Sequence, residues 1–301
     1  MANTRQVKRR ITTAKNISKI TKAMEMVAAS KMKRAQEQAL AARPYALELL
    51  KSLRQVTKKT DASMHPLLSK HTQGQRAVIV VATDKGLCGS LNTHLLKQLL
   101  QLRTKYGAEM QVIAVGKKAV LFSRIAGLPI AAQFTDLPEK IAVKDILPIS
   151  SFLMNQFLKQ IFQSVDLVYM DFVNTLKQVP RQERLLPIAK TVVNAESVNK
   201  WTDGDLGSTA ETMAGSGSYK FEPSAQEVLE TLLPFYIENS VYHAFLEAKA
   251  SEHSARMVAM KNASENAGEL VEELLLIFNK GRQQAITSEL LDITTASLTL
   301  A

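Results

Sequence analysis

The two ends of this chain of 301 residues each carry a stretch with the residue spacing of one long helix. The first runs from Thr4 to Lys59, contains no glycine, and has Pro44 as its one proline. Its apolar or small residues recur at steps of three and four, at Ile17, Ile20, Met24, Val27, Met32, Ala35, Ala39, Ala42, Ala46, Leu49, Leu53 and Val56. This period predicts an amphipathic helix of roughly 70–80 Å, which Pro44 is expected to bend or interrupt. Such a helix is too long for one small domain to pack and needs a long partner.

The C-terminal stretch supplies a partner of that kind. From Ala225 to Leu291 the only proline is Pro234. A second seam follows Leu229, Leu232, Ile237, Val241, Ala244, Ala248, Ala255, Val258, Ala263, Ala267, Leu270, Leu274 and Ile277. Residues 1–60 contain 15 Lys/Arg and 3 Asp/Glu, whereas residues 222–301 contain 5 and 12, so opposite net charges favour pairing. We therefore predict that helices within 1–60 and 222–301 form a long antiparallel coiled coil; two unrelated surface helices are the alternative, which the seam length disfavours.

Between the two seams the sequence alternates between strand and helix patterns. Strands are predicted at Ala77–Ala82, Gln111–Val115, Ile130–Phe134, Val165–Val173 and Leu185–Val193, and helices near Leu91–Tyr106, Lys117–Ile125 and Ile149–Gln163. Alternation on this scale indicates a sheet that is at least partly parallel. The fold class is therefore α/β: a long antiparallel coiled coil plus a small Rossmann-like α/β domain within 75–220, with a Gly/Ser-rich flexible segment near 196–220.

Composition and residue counts exclude several classes of protein. With 46% hydrophobic and 22% charged residues, the chain is neither disordered nor collagenous. Cys88 is the only cysteine, which excludes an intrachain disulfide and a cysteine-based zinc site, and the five histidines show no metal-ligand spacing. No apolar run reaches the ~20 residues of a membrane span. We predict no catalytic, cofactor-binding or metal-binding residues on this chain.

The segment from Thr83 to Asn92, TDKGLCGSLN, lies between a predicted strand and a predicted helix. Phosphate groups bind at that position in many α/β folds. However, the segment matches neither a Walker A loop nor the G-x-G-x-x-G spacing. A tight strand-to-helix turn explains Asp84 and the two glycines equally well, and a packed structural thiol explains Cys88 better than a nucleophile does. A nucleotide-dependent enzyme that uses this loop stays a rival hypothesis.

The N-terminal helix carries a basic run, with Lys8, Arg9 and Arg10 followed by further lysines. Together with the formal net charge of +10, it could bind nucleic acid, anionic lipid or an acidic protein surface. The first aromatic residue is Tyr45, so the run lacks side chains on which bases could stack. Net charge alone leaves these three partners open.

Three segments carry a resemblance to a known family. Residues 19–32, KITKAMEMVAASKM, resemble the N-terminal helix of the gamma subunit of F-type ATP synthases, and the turn at 83–92 is similar to that family's strand-turn-helix motif. The C-terminal runs 255–263 and 279–293 are similar to its signature, and all three occur in the family's order. The chain departs at Lys85, Ser90 and Ala296-Ser297, where the family often has Arg, Gly and Gly-Ala.

The resemblance implies a central-stalk rotor subunit that is not an enzyme by itself and that couples proton transport to ATP synthesis or hydrolysis. Its implied partners are the alpha and beta subunits of the ring, the epsilon subunit and the c-ring, with no nucleic acid. Mg-ATP and ADP would be bound by alpha and beta, so no cofactor is expected on this chain. Peripheral attachment to the cytoplasmic side of a bacterial inner membrane is implied, with the matrix side of an organelle membrane as the alternative.

The resemblance also suggests which residues touch the beta subunit. Arg282, Gln283 and Thr287 match family positions that hydrogen-bond an acidic loop of beta. Lys22 and Met24 lie in the stretch that faces an acidic lever of beta. For Met24, a place in the coiled-coil seam is an equally good interpretation.

Overall fold

A computed structural model describes residues 4–59, 65–188 and 221–300. The predicted flexible segment near 196–220 lies outside these residues. The described helices and strands are, in chain order, α1 (Thr4–Lys59), β1 (Gln75–Val81), α2 (Leu91–Tyr106), β2 (Met110–Val115), α3 (Lys117–Ile125), β3 (Ile130–Phe134), α4 (Val143–Leu158), β4 (Phe162–Phe172), β5 (Gln178–Leu186) and α5 (Ala225–Leu300).

The five strands form one sheet in the order β3-β2-β1-β4-β5. The first four strands run parallel to one another, and β5 pairs antiparallel with β4 at the edge. Side chains of β1 alternate between two cores. Ile79 faces a core formed with α1, α4 and α5, whereas Val78 and Val80 face a core formed with α2 and α3. Because both faces are covered, β1 is apolar along most of its length, as buried parallel strands are. The predicted Rossmann-like α/β domain is confirmed.

Two long helices run through the chain ends, as the sequence predicts, and α1 continues through Pro44 without the predicted interruption. Pro44 lies on the exposed side of α1. The carbonyl that loses its helical partner at a proline can therefore be hydrated there. Pro234 is likewise inside α5.

The middle of the chain required three corrections. Helix α4 begins at Val143 rather than near Ile149, because Asp145 accepts a hydrogen bond from the Ala142 amide (2.8 Å) and caps the start. It ends at Leu158 rather than Gln163, because Gln160 adopts a φ of 59° and turns the chain into β4. The last described strand is Gln178–Leu186, so it begins seven residues before the predicted Leu185–Val193, of which residues 189–193 lie outside the described part of the chain. Its polar sequence contains a proline and suits an exposed edge strand, which hydrophobicity alone does not reveal.

The chain divides into two compact units, Met1–Ser30 with Arg256–Ala301, and Lys31–Ala255. The first unit is an antiparallel pair of helical segments: the Ser18 and Ser264 hydroxyls lie 3.4 Å apart, and Val7 and Ile11 share a core with Leu274. The second unit contains the sheet and the helical segments that cover it. The three-part division at 1–60, 75–220 and 222–301 stays a prediction.

The buried face of α1 follows a spacing of three and four, as in a heptad repeat. Its positions are Val7, Ile11, Ala14, Ser18, Thr21, Glu25, Ala28, Met32, Ala35, Ala39, Ala42, Ala46, Leu49, Leu53 and Val56. From Met32 onward these are the predicted positions. Before Met32 the prediction was wrong, because small and polar residues occupy the seam, while Ile17, Ile20 and Val27 are 47%, 60% and 54% exposed. Small residues let two helix backbones approach closely, so size did not identify the buried face.

Candidate functional site

The turn at 83–92 is held by hydrogen bonds among its own residues. The Asn92 amide donates to Thr83 Oγ1 (2.8 Å) and to Cys88 Sγ (3.2 Å), and Thr83 Oγ1 donates to the Lys85 carbonyl (2.7 Å). Asp84 accepts a hydrogen bond from the Lys117 amide at the start of α3 (3.0 Å). Cys88 is 2% exposed and lies in the core beneath α2. The polar groups of the motif therefore fix a strand-to-helix turn and favour the structural interpretation of it.

A doubly wound sheet usually binds ligands where neighbouring strands connect in opposite directions, at their carboxyl ends. Here that place is beside β1, because the chain reaches β2 and β3 on one side and β4 on the other. The cavity there measures about 20 Å³, and Phe245, Ala248 and Lys249 of α5 line it. A cavity of this size holds about one water molecule, whereas small-molecule pockets measure roughly 300–1,000 Å³. The chain's own helix fills the crevice that a nucleotide would need.

Three polar residues of α5 attach that helix to the end of β4. Glu247 accepts a hydrogen bond from the Phe172 amide (3.1 Å), and Ser251 donates to the Met170 carbonyl (3.0 Å). Ser254 donates to the Thr175 carbonyl (2.7 Å). This attachment was not predicted from the sequence. The feature of the sequence that indicates it is the spacing of residues 247, 251 and 254, which places all three polar side chains on one face of a helix.

A buried charge on β4 joins the sheet to α2. Asp166 is 1% exposed, accepts a hydrogen bond from the Tyr106 hydroxyl (2.6 Å), and pairs with Arg184 of β5. Gln182 donates to the Tyr106 oxygen (3.1 Å). Burial, followed by the hydrogen bond to Asp166, raises the pKa of Tyr106 above its usual value. This cluster extends from the buried Asp166 to the half-exposed Arg184 and ties the edge strand β5 to β4 and α2.

The predicted contact residues on α1 lie at one level of the helical pair. Lys22 is exposed and forms an ion pair with Glu25 (3.0 Å) on the same helix. Met24 is half-buried and flanks the seam positions Thr21 and Glu25 rather than occupying the seam itself. The side chain of Met24 is thus partly available to a partner.

The predicted contact residues on α5 lie at another level. Arg282, Gln283 and Thr287 are all exposed, and the Thr287 hydroxyl donates a hydrogen bond to the Gln283 carbonyl one turn earlier (3.0 Å). An open groove of about 380 Å³ brings Arg282 beside Arg5 and Lys8 of α1. Since Lys22 lies 17 residues from Arg5 along α1, the two groups are about 25 Å apart. The structure therefore does not bring the two predicted groups together; it places them at two levels.

Several large apolar side chains of the helical pair face outward. On α1, Ile20 and Met26 are each 60% exposed, and on α5, Leu276 and Ile293 are 72% and 65% exposed. The basic residues Lys8, Arg9 and Arg10 are also exposed. An exposed surface that is both apolar and basic is typical of an interface with another protein.

No group of three or more His, Cys, Asp or Glu residues in 4–59, 65–188 and 221–300 could hold a metal ion. Among the helices of the same residues, none combines the length and apolar character needed to cross a bilayer.

Comparison with known proteins assigns the family. The family model described as ATP synthase matches residues 3–300. The chain is 39% identical over 301 residues to the ATP synthase gamma chain of Opitutus terrae, with all of both chains covered, and 40% identical over 305 residues to that of Dehalococcoides mccartyi, again with full coverage. It is similar in structure to a chain of the central stalk and c-ring of the Tetrahymena thermophila mitochondrial ATP synthase, with a TM-score of 0.59, 26% identity, and coverage of 81% of this chain and 99% of that one. The resemblance found in the sequence is confirmed, and the chain belongs to the family of ATP synthase gamma chains.

Proposed function

We propose that this chain is the central-stalk rotor subunit of a proton-translocating F-type ATP synthase and that it carries no catalytic centre of its own. The observation that carries the proposal is the helical pair of residues 4–30 and 256–300, whose outward surface combines large apolar and basic side chains. A surface of that kind is typically covered by a protein partner. Family membership suggests that this partner is a ring of alternating alpha and beta subunits that surrounds the helical pair.

The mechanism follows from symmetry. A pair of helices cannot have three-fold symmetry, so a shaft of this kind touches three identical catalytic subunits through different residues. Each contact stabilises a different conformation of the subunit that it meets. Rotation moves each contact to the next subunit, and rotation driven by proton flow through the c-ring thereby promotes release of ATP.

The two levels of predicted contact residues fit two separate contacts with beta. We propose that Arg282, Gln283 and Thr287 hydrogen-bond an acidic loop of beta at one level. A guanidinium group suits this role because it can donate two parallel hydrogen bonds to one carboxylate. Lys22 and Met24 would meet a second acidic segment about 25 Å away.

The remaining partners and the location follow from the same proposal. The α/β unit would contact the epsilon subunit and the c-ring, and the complex would lie on the cytoplasmic side of a bacterial inner membrane or on the matrix side of an organelle membrane. Mg-ATP and ADP would bind to alpha and beta. The cavity at the carboxyl ends of the strands is too small for a nucleotide at that place.

The experiment compares variants of the assembled complex in membrane vesicles. The double variant Arg282→Ala, Gln283→Ala should assemble normally but lower ATP-driven proton pumping several-fold, because the contact with beta is weakened. Lys280→Ala is the matched control, since Lys280 is exposed on the same turn and is not among the predicted contacts. Equal proton pumping by the double variant and the control would contradict the proposed contact between these residues and beta.

Co-purification tests the rotor proposal itself. A tagged chain should bring down alpha, beta and epsilon in fixed stoichiometry. If the purified chain instead binds nucleic acid with a steep dependence on salt and recovers none of these subunits, the basic surface has a different partner and the proposal is wrong.

A further inference from the structure

A groove of about 580 Å³ in the unit of residues 31–255 has no part in the function proposed above. Three parts of the chain line it: α1, the loop between β3 and α4, and α5. Its lining residues are Lys31, Arg34, Ala35, Glu37, Gln38, Ala41, Glu139, Lys140, Ile141, Leu246, Lys249 and His253. The volume lies within the roughly 300–1,000 Å³ of small-molecule sites. It is therefore large enough for a ligand of nucleotide size, unlike the cavity at the ends of the strands.

The charges in this groove do not cancel. Four Lys/Arg residues and two Glu residues line it. Glu139 is paired with Lys31 (2.8 Å) and lies 3.4 Å from His253, and Lys249 is 3.4 Å from Glu252. Within residues 4–59, 65–188 and 221–300, by contrast, no acidic side chain forms an ion pair with Arg34 or Lys140. Two cations from different segments of the chain thus line the same groove.

The carboxylate of Glu139 lies among basic side chains of the groove. Partial burial raises the pKa of Glu139, but the hydrogen bond and charge of Lys31, with smaller contributions from His253 and Lys249, lower it to a net value below the usual range. Such a balance shows that cations surround this carboxylate on several sides. The apolar residues Ala35, Ile141 and Leu246 complete the lining and could accept a flat or apolar body.

We infer that this groove binds a small organic phosphate, with the phosphate at Arg34 and Lys140 and the apolar part against Ile141 and Leu246. Arginine and lysine are the usual ligands of phosphate, and arginine adds a bidentate geometry. The inference concerns the unit of residues 31–255 alone and does not depend on the rotor proposal. It assigns a ligand to a site distinct from the turn at 83–92.

The test is calorimetric titration of the purified full chain at low salt with three probes: ADP, pyrophosphate and adenosine. ADP should bind saturably at one site per chain, pyrophosphate more weakly, and adenosine weakest, because both the charge and the apolar body contribute. The double variant Arg34→Gln, Lys140→Gln should raise the Kd for ADP by about tenfold or more.

The matched control is Lys33→Gln, Lys85→Gln, which removes the same charge from exposed positions outside the groove, one of them in the turn at 83–92. Its Kd should stay within about twofold of the parent. Glu139→Gln should tighten binding several-fold, because it removes a carboxylate of the groove that repels the phosphate. Circular dichroism of each variant checks that the fold is intact.

Three results would overturn the inference: no saturable binding of ADP, equal loss of affinity in the double variant and the control, or weaker binding after Glu139→Gln. Vesicles of phosphatidylglycerol identify the source of the phosphate. Capture of the parent chain but not of the double variant would assign a lipid headgroup, whereas ADP binding without capture would assign a soluble phosphate.

Discussion

At the scale of single residues, Gly116 occupies a position where the backbone leaves no room for a side chain. It follows β2 with a φ of 88°, a conformation that favours glycine, and a Cβ atom at this position would lie 2.3 Å from the Ala82 carbonyl oxygen. That oxygen belongs to the backbone just after β1, so the neighbour cannot move aside as a flexible side chain would. Close approach of two strand ends therefore depends on this glycine.

We expect Gly116→Ala to lower the free energy of unfolding by about 2–4 kcal/mol, because backbone strain and a steric clash combine. Urea unfolding of the full chain measures the change. Gly268→Ala is the control: Gly268 lies inside α5 with nothing within 4 Å of an added Cβ, so stability should rise slightly. A Gly116→Ala protein as stable as the parent would show that the two strand ends can separate freely.

Tyr106 gives a prediction for alkaline pH. Its folded-state pKa is raised by burial and by Asp166, above an unfolded value of about 10. The neutral hydroxyl therefore contributes stability that is fully present below pH 10 and is lost as the pH rises through the folded-state pKa. Tyr106→Phe should cost about 1.5–3 kcal/mol at neutral pH, because Asp166 loses a donor, and the cost should shrink above pH 10.

The measurement is urea unfolding of both proteins from pH 8 to pH 12. Tyr169, whose pKa is also raised by burial, is present in both proteins. Its ionisation therefore contributes equally to the pH dependence of their free energies of unfolding. If the difference between the two proteins were constant across this range, the pKa of Tyr106 would be the same in the folded and unfolded states, and the predicted shift would be wrong.

At the scale of elements, the part of α1 from Ala14 to Ala28 shows a buried face that is smaller and more polar than the exposed one. Ala14 is 4% exposed, whereas Ile20 is 60% exposed. A helix in a soluble protein normally buries its large apolar side chains. The inversion is explained if the helical pair packs closely through small residues and uses its large ones on a surrounding partner.

Replacement of Ala14 by leucine tests this close packing. We expect Ala14→Leu to lower stability by about 1–3 kcal/mol, because the added methyl groups overfill the seam. Ala23→Leu adds the same side chain at an exposed position of the same helix and should change stability by less than about 0.5 kcal/mol. Thermal unfolding followed by circular dichroism compares the two, and equal melting temperatures would mean that Ala14 is not in a packed seam.

Among the strands, the sequence predicted those with strong local patterns and misplaced the one without. The buried parallel strands are apolar runs, so β1, β2 and β3 were found within two residues of their bounds. Strand β5 consists of QVPRQERLL and is held by pairing with β4, with Tyr169 opposite Arg181. Its strand conformation comes from pairing with β4 and not from an apolar pattern of its own, which is why the prediction missed its first seven residues.

At the scale of the whole molecule, the C-terminal end of α5 is expected to serve coupling more than assembly. Residues 281–295 of α5 are exposed almost throughout and include Arg282, Gln283 and Thr287. Deletion from Ser288 onward should leave the complex assembled, because the α/β unit is untouched. It should reduce the number of protons pumped per ATP hydrolysed, because part of the contact with the ring is lost.

Gel filtration of the complex and proton pumping in vesicles measure these two properties separately. A full-length variant in which the exposed polar residues beyond Ser288 are replaced by alanine controls for chain length. Full pumping after removal of the ends of both α1 and α5 would contradict the shaft mechanism.

The sequence by itself determined the helical ends, the α/β middle, the family and the candidate contact residues, because these depend on local spacing and on contiguous motifs. Tertiary structure alone decided which face of α1 is buried, since the small residues of that face are covered only when α5 packs against them. It also decided that Glu247, Ser251 and Ser254 attach α5 over the strand ends and thereby fill the crevice that other sheets of this type use for ligands. The groove around Glu139 was equally invisible in the sequence, because its cations come from segments more than 100 residues apart. Such juxtapositions arise only when distant segments fold together.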